Sequence, residues 1–152
     1  MSRGHKVAYV QAGWHSEITD HCKDAFAAEM KRAEWEAGEI EYFSVPGSLE
    51  LPLMAKRLAQ SGQYAAVCLS GLVVDGGIYR HEFVAQAVLS GIVQVSLETD
   101  VPVLSAVLTP QQFQETEPHV RFFSQHMLVK GKELAEACTS IVATLEAVPA
   151  AR

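Results

Sequence analysis

Little in this sequence asks for a disulfide framework, a bilayer or a polyanion. Cysteine occurs three times in 152 residues, at Cys22, Cys68 and Cys138, an odd number at wide and unpatterned spacing. Each falls within an apolar periodic run, where a free thiol packs as a small hydrophobe. Reduced, buried thiols are therefore expected, rather than a stapled secreted scaffold. No apolar stretch approaches the roughly 18 residues that span a bilayer. The opening Met1-Ser-Arg-Gly-His-Lys6 runs straight into a strand-like segment without the features of a signal peptide. These absences lead us to expect a soluble, cytoplasmic protein. Basic residues are also scarce, 12 against 18 acidic ones for a formal net charge of -6, with no basic stripe. That argues against nucleic-acid binding, which neutralises phosphates with clustered Lys and Arg. A Walker loop, a serine nucleophile elbow and a dinucleotide fingerprint are missing too.

What is present reads as an ordered globular chain. Hydrophobic residues make up 49% and charged residues 20%, far from a disordered composition. The length suits one domain over residues 1–152, with no internal repeat or low-complexity segment. Val7–Val10 is a β-prone run ending at Gly13. From Ile18 the apolar residues Ile18, Cys22, Ala25, Phe26 and Met30 recur at helical spacing, with Ser16, Thr19 and Asp20 available as caps. That helix should stop near Gly38. Ile40–Val45 reads as a second strand, and a short helix follows from about Leu51 to Ser61 with Pro52 in its first turn. Ala65–Leu69 is a third strand. Phe83, Val84, Ala87, Val88, Gly91, Ile92 and Val95 form another helical stripe, Pro102–Leu108 a fourth strand, and Leu134, Cys138, Ile141, Val142 and Leu145 the face of a last helix.

Alternating elements with nearly continuous apolar strands imply an α/β protein whose parallel sheet is covered on both faces. The expected architecture is a three-layer α/β/α sandwich, flavodoxin-like, around a four-stranded parallel sheet. Its small sheet leaves unpaired edges that oligomerisation can cover.

Ligands of such sheets bind beyond the carboxyl ends of the strands. Four segments meet there: Gln11–His15, Val45–Glu50, Leu72–His81, and Leu108–Pro110 with its continuation. Trp14 can stack on a flat heteroaromatic ring, or serve as a lid or interface residue. Glu50 can accept ligand hydroxyls, or simply favour a helix N-terminus. Gly76-Gly77 can present backbone N–H groups to an anion, or make an ordinary tight turn. Arg80-His81 sets a cation and an imidazole at a helix start, against the helix dipole, which points to an anionic ligand or acid–base work. The alternative there is a solvated Arg and a satisfied His. His119, Arg121 and His126 lie in the polar stretch after the fourth strand, at spacings that match no standard zinc pattern.

Together these segments resemble lumazine synthase over nearly the whole chain. Val45-Pro-Gly-Ser-Leu-Glu-Leu-Pro52 is similar to the family's V-P-G-A-[FY]-E-[IL]-P run. Supporting it are the aromatic Trp14 four residues after Val10, the glycine turn from Gly71 to Gly76, and the strand Pro102–Leu108 followed by Thr109. The resemblance implies condensation of 5-amino-6-ribitylaminouracil with 3,4-dihydroxy-2-butanone 4-phosphate, giving 6,7-dimethyl-8-ribityllumazine in riboflavin biosynthesis. It implies no metal or redox cofactor and small-molecule substrates. It also implies a homo-oligomer built from pentamers, a decamer in the divergent second class that the chain's departures resemble. By position, Trp14 would stack on the pyrimidine. Ser48 and Leu49 backbone with the Glu50 carboxylate would hold the uracil edge and ribityl chain, and Leu72, Val73 and Val74 would line the pocket. Gly77 and Ile78 would bind the phosphate.

Three departures stand out. Where the family carries R-G-A-T-T-H, this chain has Asp75–Arg80, so Arg80 replaces the proton-transfer His and His81 falls one position later. Arginine cannot act as a base near neutral pH, which leaves Arg80 to stabilise charge and His81 or water to move the proton. Ser105 stands where an aromatic usually reaches across the subunit interface. The phosphate-binding Arg usual after the fourth strand falls at His119, with Arg121 nearby. A competing expectation is a low-activity lumazine- or flavin-binding scaffold of the same fold. A flavodoxin-like nucleotide domain is a third, but it would need a Ser/Thr-rich loop after the first strand, and Gln11–His15 is not one.

Overall fold

The computed structural model describes residues 6–74, 81–110, 116–148 and 150. Strands β1 (Lys6–Ala12), β2 (Ile40–Val45), β3 (Tyr64–Leu72) and β4 (Val103–Leu108) form one sheet in the order β2-β1-β3-β4. Every pairing is parallel, with Tyr9 set between Tyr42 and Cys68, and Leu69 opposite Ser105. Because side chains alternate along a strand, the two central strands feed two cores at once. Val7, Tyr9, Cys68 and Leu72 face one of them, and Ala8, Val10, Val67 and Leu69 the other.

Helices cover both faces, as expected. Helix α1 (Ser16–Arg32) and α4 (Glu117–Ala147) close over the first core; α2 (Leu51–Gln60) and α3 (His81–Thr99) close over the second. This split follows from right-handed crossovers. The chain steps one way from β1 to β2 and the opposite way from β2 to β3 and β4, so α1 lies on the face opposite α2 and α3. Helix α4 then fills the space beside α1. Among the described residues, no helix is long and apolar enough to cross a membrane.

Four expectations about the helices need correction. First, α1 ends at Arg32, well before Gly38. Glu34 takes a left-handed φ of 70° that breaks the helix, and a short 3-10 turn at Ala37–Glu39, closed by the Glu36 and Glu39 capping box, occupies the space before β2. Trp35 docks that end: it is buried and its indole N–H donates to Thr139 Oγ1 at 3.3 Å. Second, none of Ser16, Thr19 and Asp20 caps α1; the N-cap is His15, whose side chain makes no capping bond. Third, the polar stretch after β4 is helical. Helix α4 begins at Glu117 and runs 31 residues, with a proline in its first turn. Val120, Phe123 and Met127 supply its inward face there, a stripe hidden in sequence by polar residues between them. Fourth, Phe83, expected within the α3 stripe, is 63% exposed; Ala85, Val88, Ile92 and Val95 are the buried positions.

The first core carries the sulfur. Cys22, Cys68 and Cys138 are free and buried, and burial pushes the Cys22 and Cys68 thiols above their ordinary range. These thiols stay protonated near neutrality and are poor nucleophiles. Tyr9, buried beside Cys22 and against the ring of Phe26 at 4.8 Å, is pushed up in the same way by desolvation.

Candidate active site

Strand β1 connects onward to β2 on one side, while β3 lies on its other side. Neighbouring strands whose connections leave in opposite directions open a crevice at their carboxyl ends. By this rule the strand order puts the crevice between the Gly13-Trp14-His15 turn after β1 and the Val73-Val74 segment after β3. The first turn leans on the end of β2, where Gly13 N–H donates to the Val45 carbonyl at 2.9 Å. The chain leaving β2 then makes a 3-10 turn at Ser48–Glu50 before α2.

Gly47 brings these pieces together. A methyl group placed on it would lie 3.2 Å from Glu50 Oε1 and 3.7 Å from Trp14 Nε1. The indole edge and the carboxylate thus both border Gly47, so ring and carboxylate share one small surface. Trp14 is 67% exposed and Leu49 57%. A large aromatic left open at a ligand edge is more informative than a buried one. Trp14 is therefore not a lid over the core. Its Nε1 is a donor and Glu50 an acceptor, so the rim of the flat ring offers a ligand both kinds of partner. Gly71 does the equivalent at the end of β3, where a methyl would approach Ser48 Oγ at 3.0 Å and Ala12 Cβ at 3.2 Å. The ends of three strands meet at Trp14, Ser48 and Glu50.

Leu72 and Val73 belong to the cores. Their side chains are 3% and 5% exposed, one in each core, and Val73 N–H donates to the Leu108 carbonyl at 2.8 Å. Val74 is half-buried against the first core. This segment thus shapes the crevice through its backbone rather than by exposed side chains. Gly77, Ile78 and Arg80 lie outside the described residues, as does the side chain of His81, whose backbone opens α3. The N-terminus of α3 follows β3, and a helix N-terminus favours negative charge.

Ser105, His119 and Arg121 sit on the β4 side, separated from the Trp14 turn by β3. Ser105 is exposed on the edge strand, and its Oγ accepts from Val107 N–H at 3.1 Å. His119 meets Phe123 edge-on at 6.3 Å, and Arg121 pairs with Glu117 at 2.7 Å. Both stand in the first turns of α4 rather than on a loop. Beside them Phe122, 60% exposed and stacked on His126 at 6.0 Å, was missed in sequence because this stretch did not look helical. Also missed was a half-buried hydrogen bond from Gln11 Nε2 to Asp20 Oδ1 at 2.7 Å; its only sequence signal is a polar residue in an apolar strand.

The family model for 6,7-dimethyl-8-ribityllumazine synthase matches residues 4–146. The chain belongs to that family. It is 47% identical to the 6,7-dimethyl-8-ribityllumazine synthase of Rhodococcus erythropolis over 97% of this chain and 95% of that one. It is 50% identical to 6,7-dimethyl-8-ribityllumazine synthase 2 of Bradyrhizobium diazoefficiens over 96% of this chain and 87% of the relative. It is also 50% identical to the synthase 2 of Pseudomonas syringae pv. tomato, over 88% of this chain and 78% of the relative. The span matched by the lumazine synthase model includes both the Trp14 turn and the Ser48–Glu50 turn.

Proposed function

We propose that this chain condenses 5-amino-6-ribitylaminouracil with 3,4-dihydroxy-2-butanone 4-phosphate to form 6,7-dimethyl-8-ribityllumazine, in riboflavin biosynthesis. The observation that carries the site assignment is the exposed Trp14 ring meeting the Glu50 carboxylate across Gly47 at the β1/β3 crevice. The indole takes one face of the pyrimidine, and the Ser48–Glu50 turn takes its polar edge and the ribityl hydroxyls. The amine of the uracil and the ketone of the partner lose water to form an imine; inorganic phosphate then leaves, and ring closure releases a second water. Holding two substrates in register is much of the work in such a reaction, and the rest is proton transfer. Gly77 and Ile78 backbone N–H groups bind the phosphate, Arg80 stabilises negative charge, and His81 moves the proton.

Ser105, His119 and Arg121 complete the crevice of a neighbouring copy in a ring of five, two rings giving a decamer. Supporting this assembly are their separation from Trp14 within one subunit and the exposed apolar residues Leu89, Val93 and Leu97 along α3. Two of the relatives above carry the designation synthase 2, which supports the second class. Three buried free thiols suit a reducing cytoplasm.

Turnover with both substrates tests the proposal. Lumazine and inorganic phosphate should appear in equal amounts and faster than without protein. Lumazine binding with no acceleration would replace the synthase by a scaffold that keeps its pocket and lacks the chemistry.

A further inference from the structure

Gln11 is out of place in a strand whose other residues from Val7 to Ala12 are all buried and apolar. It is 9% exposed, and its Nε2 donates to Asp20 Oδ1 at 2.7 Å. A carboxylate only accepts, so the orientation of the amide is fixed by its partner, and the bond is of the stronger charge-assisted kind. The two residues stand on opposite sides of the Gly13-Trp14-His15 turn, one at the end of β1 and one in α1. Within the turn, His15 has φ 57° and ψ 43°, a left-handed conformation that a side chain disfavours and that persists only where the surroundings impose it. Its carbonyl accepts from Ile18 N–H at 2.9 Å and Thr19 N–H at 3.2 Å. The turn is therefore anchored to β2 at Gly13 and to α1 at His15, and the Gln11–Asp20 bond ties α1 to the strand beneath it.

We infer that Gln11 is a positioning residue: by gripping Asp20 across the base of the turn, it holds His15 left-handed and sets the Trp14 ring over Gly47 for the pyrimidine substrate. The inference rests on the reading of Trp14 under the proposed function. Preorganisation of this kind acts on substrate binding, because a ring that wanders must be ordered when the ligand arrives. The groups proposed for phosphate binding and proton transfer belong to the segment after β3, not to this turn, so turnover at saturation should change little.

Steady-state kinetics on the full-length protein, with the uracil substrate varied at saturating butanone phosphate, tests this. Gln11→Met keeps the volume and removes the donor; Asp20→Ala removes the acceptor from an exposed position and leaves the strand intact. Each should raise KM for the uracil substrate about five- to tenfold and change kcat by less than about twofold. The swap Gln11→Glu/Asp20→Asn reverses donor and acceptor and should restore KM to within about twofold of the native value. A purely structural bond would lower the unfolding temperature of the single variants and leave KM alone. Unchanged KM in Asp20→Ala, alongside a raised KM in Trp14→Ala, overturns the inference and spares the site. A swap as impaired as the single variants overturns it equally. Unchanged KM in Trp14→Ala removes the indole from the site, and this role for Gln11 falls with it.

Discussion

Trp14 leaves 67% of its surface open at the carboxyl edge of the sheet, and its role is the most exposed to test of any single residue. Loss of the ring in Trp14→Ala should weaken binding of the ribitylaminouracil by about 1–3 kcal/mol, the range for a stacked aromatic anchor. By calorimetry that is roughly a 5- to 150-fold rise in Kd. Since the side chain is not part of either core, the unfolding temperature should barely move. The Trp14 and Glu50 positions are legible in the sequence because motif and strand end coincide there. The contact through Gly47 is not, because it joins residues from different strand ends. Leu72 and Val73 show the opposite limit: their place in the motif suggests pocket walls, yet Leu72 at the end of β3 and Val73 just after it each turn into a core.

At the scale of elements, α4 packs closely on α1 at Gly131. A methyl on Gly131 would run into the Cys22 carbonyl oxygen and stand 2.9 Å from Ala25 Cβ. Backbone cannot yield as a flexible side chain can, so Gly131→Ala should destabilise the protein by about 1–3 kcal/mol. Thermal unfolding should then fall by roughly 2–4 °C per kcal/mol; an unchanged midpoint would mean that the helices part at no cost. Strands are the most legible elements, since four apolar runs bounded by Gly and Pro leave little choice. Helix α4 is legible only from Leu134 onward, because its first turns interleave Val120, Phe123 and Met127 with His, Arg and Ser, a weak apolar stripe. The cap of α1 escapes the sequence for a different reason. A left-handed His15 without a side-chain cap is set by its surroundings, not by local propensity.

The whole molecule should lose stability in alkali. Burial raises Tyr9, Cys22 and Cys68 above their ordinary values of 10.0 for tyrosine and 9.0 for cysteine. Above about pH 9 the unfolded chain therefore releases protons that the folded chain retains. Stability is fully present below that pH and falls as pH rises, by about 1.4 kcal/mol per pH unit for each group so held. Denaturant midpoints followed from pH 8 to 11 should decline with that sign; a flat profile would mean that these groups are not sequestered in the folded state.

The crevice itself is tested most directly by a crystal structure of the assembled protein with 6,7-dimethyl-8-ribityllumazine bound. The pteridine ring should lie parallel to the Trp14 indole at about 3.5–4.0 Å. The ribityl chain should run toward Glu50, with Ser105 supplied by the adjacent copy. A ring bound away from Trp14, or a crevice completed by Ser105 of the same chain, would contradict the proposed site.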